Sequence, residues 1–111
     1  MTFKTLAISA AVAVTTLLAL PAHAQFAKSE EAVKYRQGSL FVIGQHFGRI
    51  GAMVNGKLPF DAKAAQENAD IVAAMAALPW TGFGPGTDKG APHKAKPNVW
   101  TEKAKFNEHA Q

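Results

Sequence analysis

A seven-residue apolar repeat between residues 30 and 55 is the feature that most constrains the fold. Its apolar side chains fall in two rows with members seven positions apart: Val33, Leu40, Phe47 and Val54, then Ile43 and Ile50. This spacing places all six side chains on one stripe of an α-helix, as in a helix packed against others at a shallow angle. The pattern therefore predicts an all-α bundle whose first helix occupies this segment.

One position on the stripe carries a permanent charge. Arg36 lies seven residues before Ile43 and so falls on the same helix face. Burying a guanidinium without a partner is energetically expensive, so its side chain must meet an anion or reach water. The sequence therefore predicts an anion-seeking site near the start of the first helix.

The first 24 residues have the features of an export signal. Lys4 precedes an apolar run over residues 6–20, and Ala22-His23-Ala24 forms a small-x-small cleavage motif. The alternative is an N-terminal membrane anchor, but the run is short for a bilayer span. We expect residues 1–24 to be a signal peptide and residues 25–111 to form an exported domain with no membrane segment.

Charge and cysteine content exclude several functional classes. Without Lys4 the net charge falls from +4 to +3, and no basic stripe interleaved with aromatic residues indicates a nucleic-acid partner. The 111 residues contain no cysteine, so they hold no disulfide and no Cys-containing metal or haem-attachment motif. Since the sequence also lacks paired carboxylates on one helix face, a nucleophile–base spacing and a His pair at i, i+4, we expect no enzyme activity.

Capping residues and helix breakers predict the helix boundaries. Ser29 is the expected N-cap of the first helix, which ends at Asn55-Gly56. Asp61 is the expected N-cap of a second helix over residues 62–78, and Thr101 that of a third. Residues 81–97 contain four glycines and three prolines, and a connection of this length covers another part of the protein or is mobile.

Three glycines on one flank of the first helix predict the close approach of another group. Gly44, Gly48 and Gly51 lie at helical spacing, which allows a flat ligand or a second helix to approach, within the subunit or across a dimer. Two histidines outside the stripe are expected to face solvent. These are His46 on the first helix and His93 in the long loop.

Several ordered segments resemble the cytochrome c′ family. They are Glu31-Ala32-Val33-Lys34-Tyr35-Arg36-Gln37, His46-Phe47-Gly48-Arg49, Asp61-Ala62, Ala77-Leu78-Pro79-Trp80, Phe83-Gly84-Pro85-Gly86-Thr87 and Pro97-Asn98-Val99-Trp100. The resemblance implies an up-down-up-down four-helix bundle, usually a homodimer through its first helices. It also implies a periplasmic electron carrier with a redox partner protein, whose haem c binds NO or CO at a five-coordinate iron.

The resemblance also assigns the cofactor-binding residues. Arg36 and Gln37 match positions beside the haem propionates, Leu40 matches the apolar residue on the open side of the iron, and Trp80 is expected to pack beside the pocket. The family attaches haem through Cys-x-x-Cys-His in its last helix, and this motif is absent here.

The missing motif leads to two expectations. The first is a truncated, marginally folded bundle with two full helices, a long loop and the start of a third, which cannot attach haem covalently and holds it poorly. The alternative is a haem-free periplasmic helical module that binds a partner or has a structural role.

Overall fold

The structure, a computed structural model, describes residues 25–111, so the signal-peptide prediction lies outside the described residues. All regular elements of this range are helical: α1 (Ser29–Val54), α2 (Ala62–Met75), a 3₁₀ helix (Pro79–Phe83), α3 (Asn98–Thr101) and α4 (Lys103–His109). None of these helices has both the length and the hydropathy needed to cross a membrane.

The ends of α1 follow the sequence closely. Ser29 is its first helical residue rather than its cap; the cap position belongs to Lys28, whose carbonyl accepts a hydrogen bond of 3.0 Å from the Glu31 amide. The Glu30 and Glu31 carboxylates occupy the first turn, where they suit the positive end of the helix dipole. At the other end Gly56 adopts φ 75°, the left-handed conformation that glycine tolerates and that ends helices.

The α2 helix begins as predicted and ends early. The Asp61 side chain caps it by accepting a hydrogen bond of 3.1 Å from the Ala64 amide. The helix stops at Met75 instead of residue 78, because Leu78 bonds to the Met75 carbonyl in a tighter turn and Pro79 opens the 3₁₀ helix. This turn directs the chain back across the start of α1.

We expect Asp61→Ala to lower the free energy of unfolding by about 1 kcal/mol, since it removes an N-cap hydrogen bond. Urea unfolding followed by far-ultraviolet circular dichroism measures the change. Asp61→Asn is the matched control and should retain most of the stability, because asparagine caps as well as aspartate. Equal stability of Asp61→Ala and the unsubstituted chain would show that the cap is unimportant.

The third helical segment starts earlier than predicted. It begins at Asn98, directly after Pro97, whose φ of −54° suits the first turn of a helix. Thr101 is therefore the last residue of α3 and not a cap. Glu102, with φ −118° and ψ 50°, interrupts the helix before α4 begins at Lys103.

The core lies where the 3₁₀ helix crosses the first turns of α1. Ala32 and Val33 are fully buried there, and Phe83 is 7% exposed. Further along the stripe Ile43 and Ile50 are half-buried, whereas the row from Leu40 onward stays open, with Phe47 65% exposed. Within residues 25–111 the predicted seam is therefore packed only near its start, as expected for an uncovered apolar face.

Candidate functional site

Arg36 is the centre of the site and is 2% exposed. Its Nη1 donates hydrogen bonds to three oxygens: the Gly82 carbonyl at 2.8 Å, the Thr87 carbonyl at 2.9 Å and Thr87 Oγ1 at 3.2 Å. Because this nitrogen carries two hydrogens, one of them is shared between acceptors. The guanidinium therefore ties α1 to the loop that follows the 3₁₀ helix.

Aromatic rings enclose the same guanidinium. Its Cζ lies 4.6 Å from the centroid of the Phe83 ring and 5.3 Å from that of Trp100, within the range of cation–π attraction. Trp100 is held in turn by its Nε1, which donates to the Gly84 carbonyl at 3.1 Å and to Thr87 Oγ1 at 3.3 Å. The rings exclude water and so strengthen the electrostatics of the site.

The positive charge of Arg36 has no direct ion-pair partner within residues 25–111. Burial lowers the pKa of Arg36 from its usual value, and the charge of Asp88 opposes this shift. No carboxylate among the described residues forms an ion pair with the guanidinium. Carbonyl dipoles and aromatic faces occupy the place where the sequence predicted an anion, and the buried Nη2 has no hydrogen-bond partner within residues 25–111.

Lys103 adds a second cation. Its Nζ donates to the Phe83 carbonyl at 2.5 Å and lies 4.7 Å from the centroid of the Phe106 ring. Burial lowers the pKa of Lys103, and the nearby charge of Arg36 lowers it further. Two cations in one enclosed region favour the binding of an anionic group.

Gly82 allows the loop to approach this closely. A Cβ at this position would lie 2.8 Å from the Arg36 Cβ and 2.9 Å from the Ala32 carbonyl oxygen, both too close for a real contact. The sequence instead pointed to the flank of Gly44, Gly48 and Gly51, where an added Cβ would meet nothing within 4 Å. Within residues 25–111 no other segment approaches this flank, and a ligand or a second helix there stays a prediction.

The other residues assigned by resemblance occupy different surroundings. Gln37 is exposed and donates from Nε2 to the Pro92 carbonyl at 3.2 Å, so it helps to hold the long loop over the start of α1. Trp80 is half-buried and joins the cluster through Phe83, with ring centroids 6.1 Å apart. Leu40 lies one turn after Arg36 on the open face and is 41% exposed.

Both histidines differ from their predicted surroundings, since each is half-buried and hydrogen-bonded. His46 Nδ1 lies 2.8 Å from Asn68 Oδ1 of α2, and His93 Nε2 lies 2.6 Å from the Asp88 carbonyl. Residues 25–111 contain no cluster of three or more His, Cys, Asp or Glu side chains that could hold a metal ion.

Sequence reasoning did not assign five residues to the site: Gly82, Phe83, Thr87, Trp100 and Lys103. The runs Phe83-Gly84-Pro85-Gly86-Thr87 and Pro97-Asn98-Val99-Trp100, which carry part of the family resemblance, contain or border the residues that hold Arg36. These runs were the available signal, but no periodicity connects them to α1.

Sequence comparison identifies the relatives of the chain. A family model described as Cytochrome C' matches residues 31–111. Cytochrome c' of Rubrivivax gelatinosus is 52% identical over 82 residues, which are 74% of this chain and 64% of that protein. Cytochrome c' of Alcaligenes xylosoxydans xylosoxydans is 44% identical over 87 residues, 78% of this chain and 66% of that protein. The chain thus spans just under two thirds of the length of these curated relatives.

Solved structures agree with the sequence matches. The crystal structure of cytochrome c' from Rubrivivax gelatinosus has a TM-score of 0.75 at 51% identity and covers 78% of this chain and 67% of its own. Cytochrome c prime from Shewanella frigidimarina has a TM-score of 0.73 at 40% identity, and the match covers 77% of this chain and 66% of that one. A ferrous variant of the Alcaligenes xylosoxidans protein, solved with bound NO, has a TM-score of 0.69 at 43% identity, and the match covers 78% of this chain and 66% of that one. The all-α bundle predicted from the sequence is confirmed, and the chain belongs to the cytochrome c′ family.

Proposed function

We propose that this chain provides the first helices of a periplasmic electron-transfer protein that carries haem c and binds NO or CO at a five-coordinate iron. The observation that supports this most directly is the buried Arg36 guanidinium, whose Nη2 has no partner among the described residues. Haem propionates are carboxylates, which an arginine recognises through paired N–H donors. Membership of the family and the NO-bound structure of a relative support the same proposal.

The described residues provide an edge and a face for the cofactor. Arg36 and Lys103 supply positive charge for the propionate edge, and Gln37 is the residue next to Arg36 on α1. Leu40 and Phe47, which are 41% and 65% exposed, provide apolar surface one and three turns further along the helix. Haem supplies one-electron redox chemistry and an iron that binds diatomic gases. Leu40 would exclude water and larger ligands from the open side of that iron, and Trp80 would close the pocket beside Phe83.

Covalent attachment does not fit these residues. The 111 residues contain no cysteine, so they cannot form the thioether bonds of haem c. The residues present can therefore contact the propionate edge and one face of haem, but they cannot bind it covalently. This mismatch favours a second candidate, a haem-free periplasmic helical module that uses the open face of α1 to bind a partner or to support an assembly. In both cases we propose export through residues 1–24, and for the haem protein a homodimer through α1 and a redox partner protein.

Haem titration of the purified chain separates the two candidates. We expect weak, reversible 1:1 binding with a Soret change, and an affinity about tenfold lower for Leu40→Asn, since burying a leucine contributes about 1.5 kcal/mol. Phe41→Asn is the matched control, because Phe41 is also exposed but lies on a different face of α1.

Two results of the titration would contradict the haem proposal. A Soret change that does not saturate, or equal affinities for the Leu40 and Phe41 variants, would contradict a haem site on this face and favour the haem-free module. Circular dichroism of each variant shows whether the helices remain intact. Both substitutions replace exposed side chains, so we expect little change in helicity.

A further inference from the structure

We propose that Thr87, with Trp100, positions the Arg36 guanidinium so that Nη2 donates to a ligand carboxylate. Thr87 would be a positioning residue, because it acts through Arg36 rather than by touching the ligand. The identification of the ligand as a haem propionate rests on the proposed function. The positioning itself rests on the hydrogen bonds between these side chains.

The hydroxyl group of Thr87 has no freedom to turn. Thr87 is 2% exposed, and its Oγ1 donates to the Gly84 carbonyl at 2.7 Å. A threonine hydroxyl has one hydrogen and two lone pairs, so the oxygen can otherwise only accept. It accepts from Arg36 Nη1 at 3.2 Å and from Trp100 Nε1 at 3.3 Å. All three hydrogen-bonding positions of this hydroxyl are therefore in use.

This arrangement determines the direction of the other guanidinium nitrogen. The Gly82 and Thr87 carbonyls and Thr87 Oγ1 all accept from Nη1. Because a guanidinium is planar and rigid, fixing Nη1 also fixes Nη2. Nη2 is buried with no partner among the described residues, and an unmet buried donor is unfavourable. An acceptor that reaches Nη2 would remove this penalty.

The surrounding charge favours a carboxylate over a neutral acceptor. Lys103 lies close enough to interact electrostatically with Arg36, and no described carboxylate pairs with either cation. A cavity of about 390 Å³ lies beside the cluster and is lined by Pro85, Gly86, Asp88, Trp100 and Lys103. Lys103 and Trp100 thus line this cavity and also surround the guanidinium, so a carboxylate in the cavity would lie beside the cluster, attracted by Lys103 and opposed by the charge of Asp88.

Two forms of the cofactor test the positioning of Arg36. Haem and its dimethyl ester differ only in their propionates, so the ratio of their affinities isolates the contribution of the carboxylates. We expect the purified chain to bind haem about tenfold more tightly than the diester. Thr87→Val, which keeps the shape but removes Oγ1, should lower this ratio to about three, because the Gly82 and Thr87 carbonyls still accept from Nη1 while one hydrogen bond is lost. Thr87→Ser retains the hydroxyl and should keep the ratio.

A purely structural role for Thr87 predicts a different result. Loss of folding in Thr87→Val would weaken binding of haem and the diester equally and leave their ratio unchanged. That outcome would overturn the proposal, as would a ratio near one in the unsubstituted chain.

Nuclear magnetic resonance of the ¹⁵N-labelled chain tests the positioning without any porphyrin. We expect separate Nη1 and Nη2 resonances for Arg36, with faster exchange between the two signals in Thr87→Val than in Thr87→Ser. Addition of acetate should shift Nη2 more than Nη1, which would identify a free carboxylate as a sufficient ligand. If neither porphyrin binds, the proposed function fails, while separate Nη signals that respond to acetate still support the positioning. A single averaged Nη signal in the unsubstituted chain would refute it.

Discussion

Arg36→Met should lower the free energy of unfolding by about 3 kcal/mol, because it removes a buried charged donor and leaves its acceptors unpaired. Methionine fills much of the same space but cannot donate to the Gly82 and Thr87 carbonyls. Since small domains are only marginally stable, a loss of this size should leave much of the protein unfolded. Urea unfolding followed by tryptophan fluorescence is a direct measure, because Trp80 and Trp100 both lie in the affected cluster.

Two further variants distinguish the role of Arg36 from charge alone. Arg49→Met removes an exposed arginine from the same helix and should change stability by less than about 0.5 kcal/mol. Arg36→Lys keeps the charge but lacks the planar guanidinium, so its free energy of unfolding should fall by most of the amount lost in Arg36→Met. If Arg36→Lys were as stable as the unsubstituted chain, charge rather than directed hydrogen bonding would hold the loop.

Gly82→Ala should destabilise the protein by about 2 kcal/mol, an effect of overpacking. The added methyl group would lie 2.8 Å from the Arg36 Cβ and 2.9 Å from the backbone oxygen of Ala32, so the 3₁₀ helix would have to move away from α1. The backbone conformation is not the cause, because Gly82 is not among the glycines with positive φ. Thermal unfolding and the fluorescence of Trp80 would both report the displacement.

Gly48→Ala is the opposing control. A Cβ there meets nothing within 4 Å, and alanine is favoured over glycine in a helix by about 1 kcal/mol. We therefore expect Gly48→Ala to stabilise the monomer while Gly82→Ala destabilises it. If Gly48→Ala instead lowered stability in a concentration-dependent way, a second copy would be packing on this flank. Equal and small effects at both glycines would contradict the close approach at Gly82.

The features of the fold that could be predicted from the sequence are those that depend on residues of a single helix. The repeat that includes Val33 and Ile43 located α1 and placed Arg36 on its buried face, because helical periodicity is a local property. The Asp61 cap was equally readable, since it depends on an amide three residues away.

Contacts between distant segments were not predictable in this way. The partners of Arg36 lie 46 and 51 residues further along the chain, and no local pattern specifies which carbonyl a guanidinium will meet. The solvent exposure of individual apolar side chains was difficult to predict for the same reason. Phe47 shares a row with Val33, but only Val33 lies under the 3₁₀ helix and the loop. The roles of Gln37, Leu40 and Trp80 at a cofactor came from family resemblance and remain proposals.

The hydrogen bonds between Arg36 and Thr87 join positions 51 residues apart and so close a large ring of chain that contains most of α1 and all of α2. Bringing the ends of such a ring together costs about 3.5 kcal/mol of chain entropy before any contact is gained. Helix formation and the turn between the two helices involve only neighbouring residues and should come first on the folding path. The guanidinium contacts would then form late, and their rupture would be an early event when the molecule opens.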